Sequence, residues 1–96
     1  MQYFQVYSKL PELNEDMISR IPQHRQKIDR LLTMGKVVTY GVSAERDALW
    51  MTVYAENEMA VMDLIADLPL NEYLNPEITP LMFHLSPDLM ASPSWN

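Results

Sequence analysis

Four short segments of the chain, rich in aromatic, β-branched and other apolar residues and alternating most clearly in the first, predict β-strands. The predicted strands cover residues 2–8, 36–42, 48–54 and 77–85. A polar run at residues 43–47 separates the second strand from the third, which predicts a hairpin. Pro80 indicates an edge or bulge position in the last strand, because proline cannot donate a hydrogen bond to a neighbouring strand.

Two other segments repeat their apolar residues at the three- and four-residue steps of an α-helix. In the first segment the inward positions are Met17, Ile21, His24, Ile28 and Leu31. Asn14 or Asp16 is its predicted N-cap, and Gly35 is predicted to end it. Pro22 lies within the repeat, so this helix either kinks there or begins there. The second helix is predicted at residues 57–67 and is stopped by Pro69.

The order of these elements is βαββαβ, which predicts a ferredoxin-like α+β sandwich: a four-stranded antiparallel sheet with both helices on one side. We assign residues 1–85 to this domain and residues 86–96 to a C-terminal tail that packs on a partner subunit. A chain of 96 residues has room for one hydrophobic core. A homodimer or a higher homo-oligomer is therefore expected, since pairing adds buried surface to a small domain.

The two faces of the predicted sheet differ in chemistry, because successive side chains of a strand point to opposite sides. One face is apolar and is predicted to lie under the helices; it comprises Phe4, Val6, Leu49, Met51, Val53, Leu81, Phe83 and Leu85. The other face carries aromatic rings and polar tips, namely Tyr3, Gln5, Tyr7, Trp50, Thr52, Tyr54, Met82 and His84. The residues of the second strand do not divide clearly between the faces.

The aromatic face is too apolar to lie in water and too polar to be ordinary core. We predict that the sheet of a second copy covers it and encloses a pocket for a small organic ligand. Tyr3, Gln5, Tyr7, Trp50, Thr52 and Tyr54 are the predicted substrate-binding residues. A plain dimer interface is the alternative, since tyrosine and tryptophan are also enriched at interfaces.

Charge and composition narrow the range of functions. The 13 acidic residues exceed the 7 basic ones, and the net charge of −6 argues against binding to nucleic acid. No segment approaches the roughly 18 consecutive apolar residues of a membrane span, and no leader pattern is present, so a cytoplasmic location is expected. The absence of cysteine excludes disulfides, thiolate metal sites and cysteine nucleophiles.

The two histidines are the candidate catalytic residues. His24 occupies an inward helical position where an aliphatic side chain is expected, and imidazole titrates near neutral pH. It is predicted to be either a general acid or base at the edge of a pocket or a hydrogen-bonded core residue. His84 is predicted either to contact the ligand or to make a structural hydrogen bond. Neither a metal nor another cofactor is expected, because no third ligand accompanies the two imidazoles.

Several short motifs together resemble a known family. Leu68-Pro69-Leu70 is followed by Tyr73, and an acidic strand then runs from Glu77 through Leu81 to His84. With Gly35 after the first helix and Lys9-Leu10-Pro11 after the first strand, this pattern is similar to the muconolactone Δ-isomerase family. The resemblance implies a dimeric α/β barrel of ferredoxin-like protomers. It also implies a cofactor-free isomerisation that moves a proton and a double bond within an unsaturated lactone from aromatic degradation.

The resemblance also identifies a difference in the first helix. Where the family presents a lysine and a glutamate to the pocket, this chain has Ile21 and His24. Three functions follow as hypotheses. The first is an isomerase-like enzyme in which His24 moves the proton, with His84, Tyr3, Tyr7 or Tyr54 as hydrogen-bond donors. The others are a non-catalytic ligand-binding or interaction module and a cofactor-free monooxygenase on the same barrel. A His24 ring that faces a cavity favours an enzyme, whereas a bond to a backbone carbonyl away from any cavity favours the binding module.

Overall fold

Two helices pack on one side of a four-stranded antiparallel sheet in the computed structural model of the protein, which describes residues 1–85. The elements are β1 (Gln2–Lys9), α1 (Glu15–Thr33), β2 (Val37–Val42), β3 (Ala48–Ala55), α2 (Glu58–Ala66), a 3₁₀ turn (Asn71–Tyr73) and β4 (Glu77–Pro80). The strands lie in the order β2-β3-β1-β4. This arrangement confirms the predicted ferredoxin-like α+β fold. The predicted packing of the tail, residues 86–96, falls outside the described residues.

Helix α1 runs without interruption past its internal proline. The Asn14 side chain accepts a hydrogen bond of 2.8 Å from the Met17 amide and caps the helix well before Pro22. Because Pro22 has no amide hydrogen, the Ile18 carbonyl loses its usual helical donor. The helix ends at Thr33, and Gly35, just past the C-cap Met34, has a φ of 75°, the left-handed conformation that glycine adopts without strain.

The core lies between the helices and the inner face of the two central strands. Phe4 and Val6 of β1 and Met51 and Val53 of β3 are at most 2% exposed, as the alternation of apolar residues predicts. The helices cover them with aliphatic side chains, including Ile28, Leu31, Val61 and Ile65. Burial of this contiguous apolar surface is the main favourable contribution to folding.

A β-bulge in β2 decides which of its side chains face the helices. Val37 pairs with Val53 and Thr39 pairs with Thr52, so Val38 is an extra residue that has no counterpart on β3. Strict alternation would place Val37 and Tyr40 on opposite faces of the sheet. The extra residue instead places both on the inner face, and Tyr40 lies beneath α1.

The last strand is shorter than predicted, and the prediction that Phe83 and Leu85 face inward was wrong. The strand ends at Pro80, and the inner positions are Ile78, opposite Val6, and Pro80, opposite Phe4. One further bond in the same register follows Pro80, from the Leu81 amide to the Tyr3 carbonyl at 2.9 Å. Phe83, predicted to be inward, is 70% exposed, so the alternation of residues 81–85 does not reflect a strand.

Candidate functional site

A cavity of about 250 Å³ lies between α1 and the inner face of the sheet. Most of its lining is aliphatic and comes from the β1–α1 loop, α1, the β2–β3 hairpin and the segment after α2; it includes Leu10, Leu13, Met17, Ile21, Val42 and Leu74. A few polar side chains join them: His24, Arg25, Tyr40, Arg46 and Tyr73. An apolar cavity with a few converging polar groups is typical of a small-molecule site.

His24 and Tyr40 form a hydrogen-bonded pair in this cavity. Nε2 of His24 lies 3.0 Å from the Tyr40 hydroxyl, and His24 is only 3% exposed. Nδ1 of His24 is buried and has no hydrogen-bond partner among residues 1–85. Buried polar atoms are nearly always paired, so this unpaired nitrogen, in a side chain that lines the cavity, is a candidate contact for a ligand atom.

Burial keeps both members of this pair uncharged at neutral pH. Loss of hydration lowers the pKa of His24, because the imidazolium form is penalised in an apolar environment. The same loss of hydration raises the pKa of Tyr40 to about 12. The pair is therefore a neutral imidazole beside a phenol. When Nε2–H donates to the Tyr40 oxygen, Nδ1 carries the lone pair and is available as a proton acceptor.

Tyr73 and its neighbours fix the wall of the cavity that follows α2. The Tyr73 hydroxyl donates a hydrogen bond to Asp16 of α1. Arg20 forms a salt bridge with the same carboxylate, with a nitrogen–oxygen distance of 3.1 Å. Arg20 also donates to the Pro69 carbonyl at 3.2 Å, and its guanidinium lies over the Tyr73 ring. These contacts join the Leu-Pro-Leu segment to the first turns of α1.

Sequence reasoning did not identify Tyr40 or Tyr73 as site residues. The signal for Tyr73 was its place in the Leu-Pro-Leu motif, which marks a wall of the cavity. Tyr40 gave no signal, because its side depends on the bulge at Val38.

The predicted substrate-binding residues lie together on the outer face of the sheet. Directly opposed pairs across β1 and β3 are Tyr3 with Tyr54, Gln5 with Thr52, and Tyr7 with Trp50. Thr39 Oγ1 donates to Thr52 Oγ1 at 2.8 Å, and Thr52 Oγ1 donates to the side-chain oxygen Oε1 of Gln5 at 2.9 Å. Within residues 1–85 no helix covers this face, and Trp50 is 43% exposed.

His84 joins the outer face at one end. Its ring centroid lies 4.9 Å from that of Tyr3, which in turn lies 4.7 Å from that of Tyr54. Its Nε2 is buried and has no hydrogen-bond partner in the described part of the chain. The sheet therefore separates His84 from His24, and within one protomer the predicted site residues form two groups rather than one.

The described residues contain neither a candidate metal-binding cluster nor a helix that could span a membrane. No group of three or more His, Cys, Asp or Glu side chains within residues 1–85 is placed to hold a metal ion. In the same range, no helix has the length and apolarity that crossing a membrane requires.

Comparison with known proteins places this geometry in context. The family model described as muconolactone delta-isomerase matches residues 5–87. A crystal structure of muconolactone isomerase matches with a TM-score of 0.70 and 23% identity, over 88% of this chain and 92% of that one. A 5-chloro-2-hydroxyhydroquinone dehydrochlorinase from Burkholderia phenoliruptrix, in complex with 2,5-dihydroxybenzoquinone, matches with a TM-score of 0.56 and 15% identity, over 79% and 89%. None of the curated proteins searched matches the sequence.

Proposed function

Because the chain belongs to the muconolactone delta-isomerase family, we propose that it is a cofactor-free isomerase that moves a proton within a small unsaturated lactone or a related acid. The observation that carries this proposal is the buried His24–Tyr40 pair on the wall of an apolar cavity. His24 contacts a phenol inside a cavity rather than a backbone carbonyl away from one. That is the arrangement expected of an enzyme.

In the proposed mechanism His24 is the base and then the acid. Nδ1 accepts a proton from the ring carbon next to the double bond, and the electron pair of that C–H bond moves toward the lactone carbonyl. The resulting dienolate takes the same proton back at a different carbon, which shifts the double bond and restores neutral His24. The mechanism requires the tautomer in which Nε2–H donates to the Tyr40 oxygen, which leaves the lone pair on Nδ1. The lowered pKa of His24 favours return of the proton.

We propose that the outer face of the sheet is covered by the same face of a second copy, which makes the protein a homodimer or a higher homo-oligomer. We also propose that it is cytoplasmic. The partly exposed aromatic side chains around Trp50 support this assembly, because an exposed patch of apolar rings is typical of an interface. His84 and the outer-face residues stay predicted ligand-binding groups of a pocket between two copies. The cavity beside His24 exists within one protomer.

The test is an assay of muconolactone isomerisation with the wild-type protein, His24→Gln and the control variant Gln23→Ala. Gln23 is exposed and immediately precedes His24 on α1, so its replacement is expected to leave the rate unchanged. Loss of a general base is expected to lower the rate about 100- to 10,000-fold. An inactive wild-type protein would exclude the family activity, and an equal rate in His24→Gln would exclude His24 from the mechanism.

A non-catalytic binding module is the second candidate, and Ile21 is the observation that favours it. The family has a lysine at about this position, whereas here an aliphatic side chain lines the cavity. A binding module would bind the lactone without converting it. Oxygen uptake measured in the same assay with a phenolic substrate separates both candidates from a monooxygenase.

A further inference from the structure

The cavity beneath α1 presents an almost entirely apolar surface, although several polar residues contribute to its lining. Arg25 and Arg46 are exposed residues, so it is their alkyl stems that form part of the wall. His24 and Tyr40 hydrogen-bond to each other, and the Tyr73 hydroxyl donates to a carboxylate of α1. Among residues 1–85, no charged group is therefore presented to a ligand inside the cavity.

Ile21 occupies the position on α1 that decides the charge beside the imidazole. It precedes His24 by one helical turn, and both side chains line the cavity. Residues three apart are neighbours on the surface of a helix, so a charged side chain at position 21 would lie next to His24. An aliphatic side chain is present there instead, and it continues the apolar wall.

The ionisation of His24 and Tyr40 shows how unfavourable a charge is at this place. Loss of hydration lowers the pKa of His24 and raises the pKa of Tyr40 to about 12, so both groups are neutral at neutral pH. A carboxylate brought into the cavity would lose its hydration in the same way. It would find no cation in return, and an unpaired buried charge is strongly unfavourable.

The surface beside the cavity also disfavours anions. A hollow formed by the β1–α1 loop and the β2–β3 hairpin shares part of its lining with the cavity, and it carries Glu12, Glu45 and Asp47 against the single base Arg46. The whole chain has a net charge of −6. Both the local and the overall charge therefore repel an approaching carboxylate.

We infer that the cavity is selective for an uncharged ligand, an unsaturated ring lactone that carries no carboxylate, and that Ile21 is the residue that sets this selectivity. The ligand is small, because the volume of about 250 Å³ is slightly below that of pockets for drug-sized molecules. When Nε2–H of His24 donates to the Tyr40 oxygen, the hydroxyl keeps its own proton to donate to the ring carbonyl. This inference rests on the proposed function for the identity of the cavity as the substrate site, and it narrows the proposed substrates to the uncharged ones.

The test uses two saturated γ-lactones, which have no double bond to move, so that binding is measured apart from turnover. One carries an isobutyl arm and the other a carboxymethyl arm; the arms have the same number of non-hydrogen atoms and a similar shape but differ in charge. In titration calorimetry at neutral pH, the wild-type protein is expected to bind the isobutyl lactone at least about tenfold more tightly.

Ile21→Lys is expected to bind the carboxymethyl lactone about tenfold more tightly than the wild-type protein does, and the isobutyl lactone more weakly, because the ammonium group pairs with the carboxylate. Ile18→Lys is the matched control. It makes the same change on the same helix, at a residue that is 53% exposed and does not line the cavity, so the wild-type preference is expected to remain. Thermal melting by circular dichroism shows whether each variant folds, and the wild-type comparison decides the selectivity even if Ile21→Lys does not.

Equal affinity of the wild-type protein for the two lactones, tighter binding of the carboxymethyl lactone, or no binding of either would overturn the inference. An unchanged preference in folded Ile21→Lys would overturn the role of Ile21. Selective binding of the isobutyl lactone, with no double-bond shift in its unsaturated counterpart or in muconolactone, would reject the proposed isomerase and leave the selectivity standing. Turnover of muconolactone by a protein that binds both probes equally would do the reverse.

Discussion

Burial gives the imidazole of His24 and the phenol of Tyr40 their chemical character. His24 is placed by the helical repeat of α1, and Tyr40 is placed by the pairing of β2 with β3. Each side chain meets the other's polar atom inside an apolar cavity, so that one hydrogen bond satisfies two buried groups at once. The remaining nitrogen, Nδ1, has no hydrogen-bond partner within residues 1–85 and is the proton acceptor of the proposed mechanism.

The lowered pKa of His24 makes the folded state sensitive to acid. Below a pH of about 6.5 the unfolded chain takes up a proton at this imidazole, whereas the folded chain resists doing so. The contribution of neutral His24 to the free energy of unfolding is therefore fully present above that pH. It decreases as the pH falls toward the lower pKa of the folded state. His24→Gln removes this contribution.

Urea unfolding of the wild-type protein and His24→Gln at pH values of about 7.5 and about 5.5 measures the effect. We expect the wild-type protein to lose more stability across this range than the variant. An equal loss in both proteins would show that His24 titrates alike in the folded and unfolded chains.

Among the elements, α1 and β4 show how far a pattern in the sequence determines structure. The alternation in β1 and β3 and the repeat in α1 and α2 were sufficient to predict the sheet, the core and the inward position of His24. The end of β4 and the exposure of Phe83 were not predictable by alternation, because the apolar residues after Pro80 continue the pattern beyond the end of the strand. Tyr40 was missed because an extra residue in a strand changes side-chain direction without any change in composition.

The location of the cavity was also not predicted. Sequence analysis placed a pocket on the outer face, where the aromatic residues are conspicuous, and that pocket between two copies stays a prediction. The cavity of the single chain lies on the inner face, where its lining of leucine and isoleucine has the same composition as core. Hydrophobic patterning does not distinguish a filled interior from one with a space left in it.

Pro22 removes one backbone hydrogen bond from α1, because it has no amide hydrogen to donate to the Ile18 carbonyl. Replacement by alanine restores the missing amide donor, so Pro22→Ala is expected to raise the free energy of unfolding by about 1–3 kcal/mol. Chemical denaturation with circular dichroism measures this. Gln23→Ala, an exposed change at the next position, is expected to stay within about 0.5 kcal/mol of the wild-type protein. A destabilised Pro22→Ala would indicate that the rest of the fold requires the geometry that proline imposes on α1.

At the scale of the whole molecule, one side of the sheet is covered by helices and the other is not, within the part of the chain that the structure describes. A chain of 96 residues buries a smaller share of its surface in its own core than a larger domain does, so burial against a partner adds to its stability. The opposed pairs of β1 and β3 present a continuous band of rings and amides, in which the central Thr52 is already only 3% exposed. A second copy placed on this band would complete the burial of its aromatic residues.

Assembly is tested by placing a charge on the outer face. Trp50→Glu is expected to shift the protein from a dimer or larger assembly toward a monomer of 11.2 kDa, because two copies would bury opposed carboxylates. Met62→Glu is the control: Met62, on α2, is 44% exposed, against 43% for Trp50. Light scattering over a range of protein concentrations gives the mass. A monomeric wild-type protein, or equal masses for both variants, would contradict the proposed assembly.

The extra residue in β2 bears on how this kind of site changes during evolution. Loss of the single codon for Val38 would force either Val37 or Tyr40 off the inner side, and Val37, completely buried, is the better anchored of the two. The phenol would then leave position 24 without its neighbour, although no catalytic residue had been substituted. Deletion of Val38 would thus alter the site without any substitution among the residues that line it, and an ungapped alignment of β2 would conceal the change.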